Sequence, residues 1–303
     1  MNTLLVLLGP TGVGKTKWSL EIAEELGSPI LSADSRQIYQ GMTIGTAAPT
    51  AQQLQRVPHH FVGILRPEEY YSASQFEEEA VSLAQKLFET HPCVVMTGGS
   101  MMYIDAVCHG IDEIPTIDEK LRSEVYTLYR NEGLDAIRAR LKIVDPVFYD
   151  EVDLKNPKRV IHALEVCLMA GRPYSSLRRK QRKERPFRIL KIGFTRERAA
   201  LYDRINRRVD EMIDEGLVEE AFHFYPMRHH NALNTVGYKE LFDYFDGIST
   251  LEFAIEKIKQ HSRNYARKQM TWFKKDQEIH WINLSDQEND AEEEIFNLLR
   301  GQV

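Results

Sequence analysis

The sequence predicts an α/β fold, a doubly wound parallel sheet with an inserted all-helical domain and C-terminal helices. Three observations lead there. A glycine-rich turn, Gly9 to Thr16, lies directly between an apolar run and a helical pattern. Short apolar runs alternate with helical stretches as far as residue 111, and the segment from Asp112 to Pro186 contains helical stretches but no convincing strand.

Thr3 to Leu8 is an uninterrupted apolar run, suited to a strand buried on both faces. Lys15 to Leu26 places Trp18, Ile22, Ala23 and Leu26 at helical spacing and is closed by Gly27 and Pro29, so the chain opens with a βα unit. Pro29 to Ala33 reads as a second strand ending at Asp34. Ser74 and Glu77 form a capping-box pattern ahead of Phe76, Ala80, Leu83 and Leu87. That helix leads into a third strand, Cys93 to Thr97, which ends at Gly98, Gly99 and Ser100. In the insert, Asn156 and Pro157 supply an N-cap and a first-turn residue, Val160, Ile161, Leu164 and Leu168 the apolar series, and Gly171 the stop. Arg188 to Phe194 reads as a strand again, the chain is then helical to about Trp272, and His280 to Leu284 reads as a final strand. The division expected is a core of residues 1–111 and 188–303, the latter ending in a helical segment, and an insert of residues 112–187.

With 303 residues, 43% of them hydrophobic and 28% charged, the chain can bury one large or two ordinary cores, which excludes a disordered tail or a disulfide-stapled miniprotein. Cys93, Cys108 and Cys167 lie far apart without a CxxC pair, so neither a zinc module nor a disulfide framework is expected. His59 and His60 have no cysteine or carboxylate at ligand spacing. The run Leu4 to Leu8 is far too short to cross a bilayer, and no export signal follows it, so a cytoplasmic protein without a membrane partner is expected. The net charge of −6 offers nucleic acid no overall attraction, but charge is segregated along the chain. Arg172 to Arg208 is strongly basic, with residues 178–185 expected as an exposed basic loop or helix end. Lys257 to Lys275 carries seven basic residues and no acidic one, whereas Glu68 to Glu79 and Asp286 to Glu294 carry acid.

The strongest local signal is Gly9-Pro10-Thr11-Gly12-Val13-Gly14-Lys15-Thr16, which fits GxxxxGK[ST] between a strand and a helix. Glycines let consecutive backbone N–H groups turn onto an anion, the helix N-terminus adds its positive end, Lys15 supplies a cation, and Thr16 offers a hydroxyl to Mg²⁺. The fold expected is therefore P-loop NTPase-like, with a diphosphate-bearing ligand at this loop. The third strand ends in Gly98-Gly99-Ser100 where an ATPase would carry an aspartate, and the carboxylate at a comparable strand end is Asp34. Ligands of doubly wound sheets bind at the C-terminal strand ends, so the loop, Asp34 and Ser100 should meet in one crevice.

Several segments together carry a resemblance: Gly9 to Thr16, Ser32-Ala33-Asp34-Ser35-Arg36-Gln37-Ile38-Tyr39, Ile44-Gly45-Thr46-Ala47 and Gly98-Gly99-Ser100-Met101-Met102-Tyr103. Further on stand Arg204 to Asp210, Val236-Gly237-Tyr238-Lys239-Glu240 and Arg267-Lys268-Gln269-Met270-Thr271-Trp272-Phe273. In this order, over nearly the whole chain, they resemble the bacterial tRNA dimethylallyltransferases. The resemblance implies transfer of a dimethylallyl group from dimethylallyl diphosphate to the exocyclic N6 of the adenosine 3′ of the tRNA anticodon. It makes the phosphate loop, Gly9 through Thr16, a clamp on the leaving diphosphate with Mg²⁺ at Thr16, and adds Arg204 or Arg208 from the opposite side. Asp34 becomes the acceptor of the N6 proton, and Ser100 a donor to the bridging oxygen or a nearby phosphate.

A base stacked in an anticodon loop must be flipped out to reach such a crevice, which calls for an RNA-contacting surface. The positions implied for tRNA are Asp34, Ser35, Arg36, Gln37, Ser100 and Arg122; Lys158, Arg159, Val160, Ile161 and His162; Asn234, Thr235, Val236, Gly237, Tyr238 and Lys239; and Lys268, Gln269, Met270, Thr271, Trp272, Phe273, Lys274 and Lys275. A monomer is expected. Two other enzyme readings fit the loop: prenyl transfer to free AMP or ATP, and a small-molecule kinase with Asp34 as base. The long insert and the basic C-terminal helices favour tRNA over either.

Overall fold

The computed structural model describes residues 2–178, 182–285 and 290–301. Part of the basic segment 178–185 and the start of the acidic segment 286–294 lie outside the described residues. The chain divides into two compact units, residues 1–109 with 184–303, and residues 110–183.

The first unit is a six-stranded parallel sheet: β1 Thr3–Leu8, β2 Ile30–Ala33, β3 His59–His60, β4 Cys93–Gly98, β5 Arg188–Thr195 and β6 Ile279–Asn283, in the order β3-β2-β4-β1-β5-β6. Its helices are α1 Lys15–Glu25, α2 Ala51–Arg56, α3 Ala73–Leu87 and α4 Met101–His109. After the second unit's α5 Glu119–Val144, α6 Pro146–Glu151, α7 Pro157–Ala170 and α8 Tyr174–Leu177 come α9 Arg198–Asp214, α10 Leu217–Phe224, α11 Tyr238–Phe245, α12 Leu251–Phe273 and α13 Ala291–Arg300. The two-residue β3 is too short for an apolar pattern to reveal it, so the strand expected third is β4.

The apolar run of β1 explains why helices cover both sheet faces. Leu4, Val6 and Leu8 point into one core with residues of α3, α4, α11 and α12, while Leu5 and Leu7 point into the other with α1, Leu201 and Ile205 of α9, and α13. Each fully buried leucine contributes about 1.5–3 kcal/mol of transfer free energy. Parallel register brings Leu8 level with Gly98, and Gly98 level with Ala33, so the loops after β1, β2 and β4 leave the sheet side by side. Gly98 is required there: a Cβ would stand 2.2 Å from the Ala33 carbonyl oxygen.

One helix start differs from expectation. Helix α3 is capped by Ser72, whose hydroxyl accepts from Gln75 N–H while the Gln75 side chain accepts from Ser72 N–H, two residues ahead of the expected Ser74 and Glu77 pair. Both pairs fit the pattern in sequence. Glu77 is instead buried and binds Arg185 at 2.8 Å.

The second unit is all-helical. Helix α5 is interrupted at Gly133, and Asn156 caps α7 as expected, accepting from Arg159 N–H, with Pro157 at the first turn and Gly171 ending it in the left-handed region. Its core holds Val125, Ile137, Leu141, Phe148, Val160, Ile161 and Leu164. Buried Asp145 caps α6 and accepts from the Ser175 N–H and hydroxyl at 2.7 Å each, tying α6 to α8. No helix among the described residues is long and apolar enough to cross a membrane.

Candidate active site

The turn between β1 and α1 forms the concavity expected of a phosphate loop. Lys15 Nζ donates to the carbonyls of Gly9 and Pro10 at 2.9 Å each, folding back over the loop. The first-turn N–H groups of α1 have no intrahelical acceptor, an arrangement that suits an anion. Three arginines from outside hold it: Arg204 Nε donates to Gly12 O at 3.0 Å, Arg208 lies 3.4 Å from the Thr11 hydroxyl, and Arg196 Nε donates to Val13 O at 2.9 Å. Arg196 belongs to no motif noted in the sequence, since it acts from the end of β5. Arg207, between the other two on α9, pairs with Asp203 at 2.6 Å.

Burial in the loop lowers the Lys15 ammonium to about 7, with the Arg208 charge adding to the drop and Asp34 opposing it. Burial likewise lowers Arg208 below the usual arginine range, again opposed by Asp34.

A cavity of about 690 Å³ opens at this loop, lined by Gly12, Gly14, Lys15, Thr16, Thr43, Ile44, Ala47, Ala48, Pro49, Arg204, Arg208 and Met212. Another, of about 320 Å³, is lined by Thr11, Asp34, Ser35, Arg36, Gly45, Thr46, Ser100, Arg208, Met212, Asn234, Thr235, Val236, Gly237, Lys239 and Tyr265. Arg208 and Met212 line both. The loop, Asp34 and Ser100 therefore converge, as the strand-end argument requires.

Asp34 follows β2 in a tight turn: its Oδ1 accepts from Arg36 N–H at 2.8 Å and Gln37 N–H at 3.3 Å. Ser100, after β4, accepts from Ser35 N–H at 2.8 Å and donates to the Ser35 hydroxyl at 3.1 Å. The strand ends are thus hydrogen-bonded to each other beside the cavity. Gln37 does not line it; its amide donates to Thr46 O and Ala47 O at 3.2 and 2.9 Å and braces the facing loop.

Several positions expected to meet RNA are core. Tyr238, Val160, Ile161, Phe273 and Gln269 are at most 2% exposed, so their side chains offer RNA no surface. Each falls on the inward face of its helix, among apolar neighbours. Gln269 bridges two loops instead, since its Oε1 accepts the Thr11 N–H at 2.9 Å and its Nε2 donates to Gly99 O at 2.8 Å. Lys158, Arg159, Lys239, Lys268, Thr271, Lys274 and Lys275 are exposed, and Met270 is partly so. Trp272 is 36% exposed, donates to Asp105 at 2.7 Å and carries Lys275 over its ring. In the helical unit, Arg122 and His162 flank the buried Glu165 at 3.6 and 3.8 Å.

Thr16 is exposed at the head of α1 in the larger cavity, and the protein oxygens near the loop are hydroxyl and carboxylate. Such hard donors fit Mg²⁺, which binds through one or two protein oxygens plus substrate phosphates and keeps several waters. His59 and His60 form the edge strand β3, where His59 Nδ1 lies 2.8 Å from Val57 O. His109, Asp276 and Glu278 also cluster, but Lys191 Nζ sits among them at 3.1 Å from His109 and 2.8 Å from Glu278, filling the place a cation would take.

A family described as IPP transferase matches residues 37–276. The chain belongs to this family. The tRNA dimethylallyltransferase 2 of Parabacteroides distasonis is 60% identical over 303 residues, all of both chains. The crystal structure of the full-length tRNA isopentenylpyrophosphate transferase from Bacillus halodurans superposes with a TM-score of 0.74 at 37% identity, covering 99% of this chain and 96% of that one. A eukaryotic dimethylallyltransferase acting on tRNA shares the fold, with a TM-score of 0.80 at 21% identity over 96% of this chain and 76% of that one. Membership of the IPP transferase family makes the chain a prenyl-group transferase.

Proposed function

We propose that the protein transfers the dimethylallyl group of dimethylallyl diphosphate to the exocyclic N6 of the adenosine 3′ of the tRNA anticodon and releases diphosphate. The observation that carries this reading is the meeting of Lys15, Arg208, Asp34 and Ser100 across two cavities that share Arg208 and Met212. Identity with tRNA-modifying relatives over the full chain supports the acceptor.

The diphosphate lies in the loop, where the N–H groups of the α1 terminus, Lys15 and Arg208 take up the charge that grows as the C1–O bond breaks. Mg²⁺ held by Thr16 would neutralise part of that charge when bound. The adenine enters the smaller cavity with N6 beside Asp34. As the N6–C1 bond forms, Asp34 accepts the N6 proton, and the electron pair of the broken C1–O bond leaves with diphosphate. Ser100, placed at the strand end by the Ser35 N–H it accepts, would turn its hydroxyl proton from Ser35 to the bridging oxygen when the diphosphate is bound. Asn234 to Gly237 and Lys239 line the base's side of the cavity, while exposed Lys158, Arg159, Lys268, Lys274 and Lys275 suit RNA phosphates. The cytoplasm is the compartment where such an acceptor is met, and a monomer suffices because the first unit supplies the whole constellation.

Labelled dimethylallyl diphosphate with Mg²⁺, offered in parallel to unmodified tRNA, to AMP or ATP and to no acceptor, tests the reading. Label at one adenosine of tRNA is the expected result. Label in free nucleotide alone would move the protein to the free-nucleotide transferases, and ATP consumption without prenyl transfer would make it a kinase.

A further inference from the structure

Glu220 stands in the first turn of α10, where the helix terminus favours a carboxylate. Its two oxygens accept five hydrogen bonds. Oε2 takes the Thr43 N–H and hydroxyl at 2.9 Å each and the Ile44 N–H at 2.8 Å; Oε1 takes the Gly45 N–H at 2.8 Å and the Tyr238 hydroxyl at 2.6 Å. Three consecutive backbone donors close around one carboxylate, as they would around a bound anion. The same loop is pressed onto the buried Tyr238 ring so closely that a Cβ on Gly45 would come within 2.6 Å of it. Gln37 holds the next two carbonyls.

This loop is the wall common to both cavities. Thr43, Ile44, Ala47 and Ala48 face the phosphate loop, and Gly45 and Thr46 face Asp34 and Ser100. A prenyl chain with its diphosphate at Lys15 and its C1 directed at an amine beside Asp34 has to lie along it, with Ile44, Ala47 and Met212 as apolar surroundings.

We propose that Glu220 is a positioning residue for prenyl transfer, clamping residues 43–45 so that their wall aligns C1 and limits the length of the allylic chain accepted. The proposal rests on the transferase reading above. Glutamine at this position would set an NH₂ group against two or three of the five donors, loosening the loop while keeping the side chain's size. Aspartate would be too short to reach both the loop and Tyr238.

The test compares transfer to tRNA from dimethylallyl and geranyl diphosphate by the wild type, Glu220→Gln and Tyr238→Phe. Glu220→Gln is expected to lower kcat with the five-carbon donor about tenfold or more, as small misplacements of reacting atoms do. It should also lower the preference for the five-carbon over the ten-carbon donor, in kcat/KM, by about tenfold. Tyr238→Phe, which removes one of the five bonds, shifts both quantities the same way by less. Loss of folded protein would reduce both donors' rates equally and leave their ratio alone, so the ratio separates positioning from damage. A wild-type ratio in Glu220→Gln overturns the proposal; if that variant does not fold, a wild-type ratio in Tyr238→Phe does so. A wild type that transfers neither group to tRNA overturns the transferase reading instead.

Discussion

The Gln269 side chain joins Thr11 of the phosphate loop to Gly99 of the β4 turn, accepting from one backbone and donating to the other across a gap no secondary structure spans. The Thr11 N–H is therefore a structural donor, and the anion must use the loop's later N–H groups. Gln269→Leu keeps the volume and removes both bonds, leaving a part-buried N–H and a buried carbonyl without those partners. A loss of about 1–3 kcal/mol of stability is expected from each orphaned group. Turnover should fall about tenfold or more as loop and Ser100 drift apart. Urea unfolding and steady-state kinetics check both; unchanged kcat would show that the tie does not set the site's geometry.

Asp34 has two duties that one substitution separates. Asn retains an oxygen to accept the Arg36 and Gln37 N–H groups, so the turn survives, but it cannot take the N6 proton. Asp34→Asn should nearly abolish transfer while tRNA affinity, read by filter binding, stays within about threefold of the wild type. A normal single-turnover rate would remove Asp34 from proton transfer.

Lys15 makes diphosphate binding pH-dependent in a stated direction. Its free-enzyme value is about 7, and a bound anion raises it. Below pH 7 both forms are protonated and this group adds no pH dependence. Above pH 7 binding must take up a proton, and affinity falls by up to about tenfold per pH unit. Because the unfolded chain keeps its lysine protonated to far higher pH, the same group lets stability rise as pH goes up from 7. Calorimetry of metal-free diphosphate at pH 8 in buffers of different ionisation enthalpy should show proton uptake that Lys15→Met removes. Equal heats in the two buffers, after correction, would contradict it.

Arg207 and Arg208 are neighbours with opposite fates. Both line the larger cavity, but Arg207 is exposed there and its charge is paired with Asp203, whereas Arg208 also lines the smaller cavity beside Thr11. Arg208→Met should raise KM for the prenyl diphosphate about 10- to 100-fold, the value of a charged hydrogen bond. Arg207→Met should change it less than about twofold, as for an exposed ion pair. Equal effects would show that the segment contributes general charge and no specific contact.

What was legible in the sequence was local. The phosphate loop declares itself through its flanking strand and helix, and Asn156-Pro157 with Gly171 marks both ends of α7, because the residues that make each feature are adjacent. Glu220 gave no sign, since four of its five hydrogen bonds reach residues about 175 positions away and only the fold brings them together. Gln269 could have been noticed: it shares a helical face with Ala266 and Phe273, and an amide on an apolar face needs a polar partner. The same spacing test separates Val160, Ile161, Tyr238 and Phe273, which point inward, from Lys158, Arg159 and Lys274, which do not. The Ser72 and Ser74 patterns both have a Gln or Glu three residues on, so spacing alone does not choose between them.

The strand that carries the phosphate loop is the first to be synthesised and among the last to find its neighbours. Thr3 pairs with Cys93 on one side and with Arg188 on the other, so β1 has no complete hydrogen-bonded setting until β5 has left the ribosome. Until then a largely apolar strand, with β4 alone for a neighbour, and its glycine-rich turn wait half-paired, while the helical unit can already assemble. A nascent chain arrested before β5 should therefore hold folded helices yet bind no diphosphate, and ligand affinity should arrive in one step with the emergence of that strand.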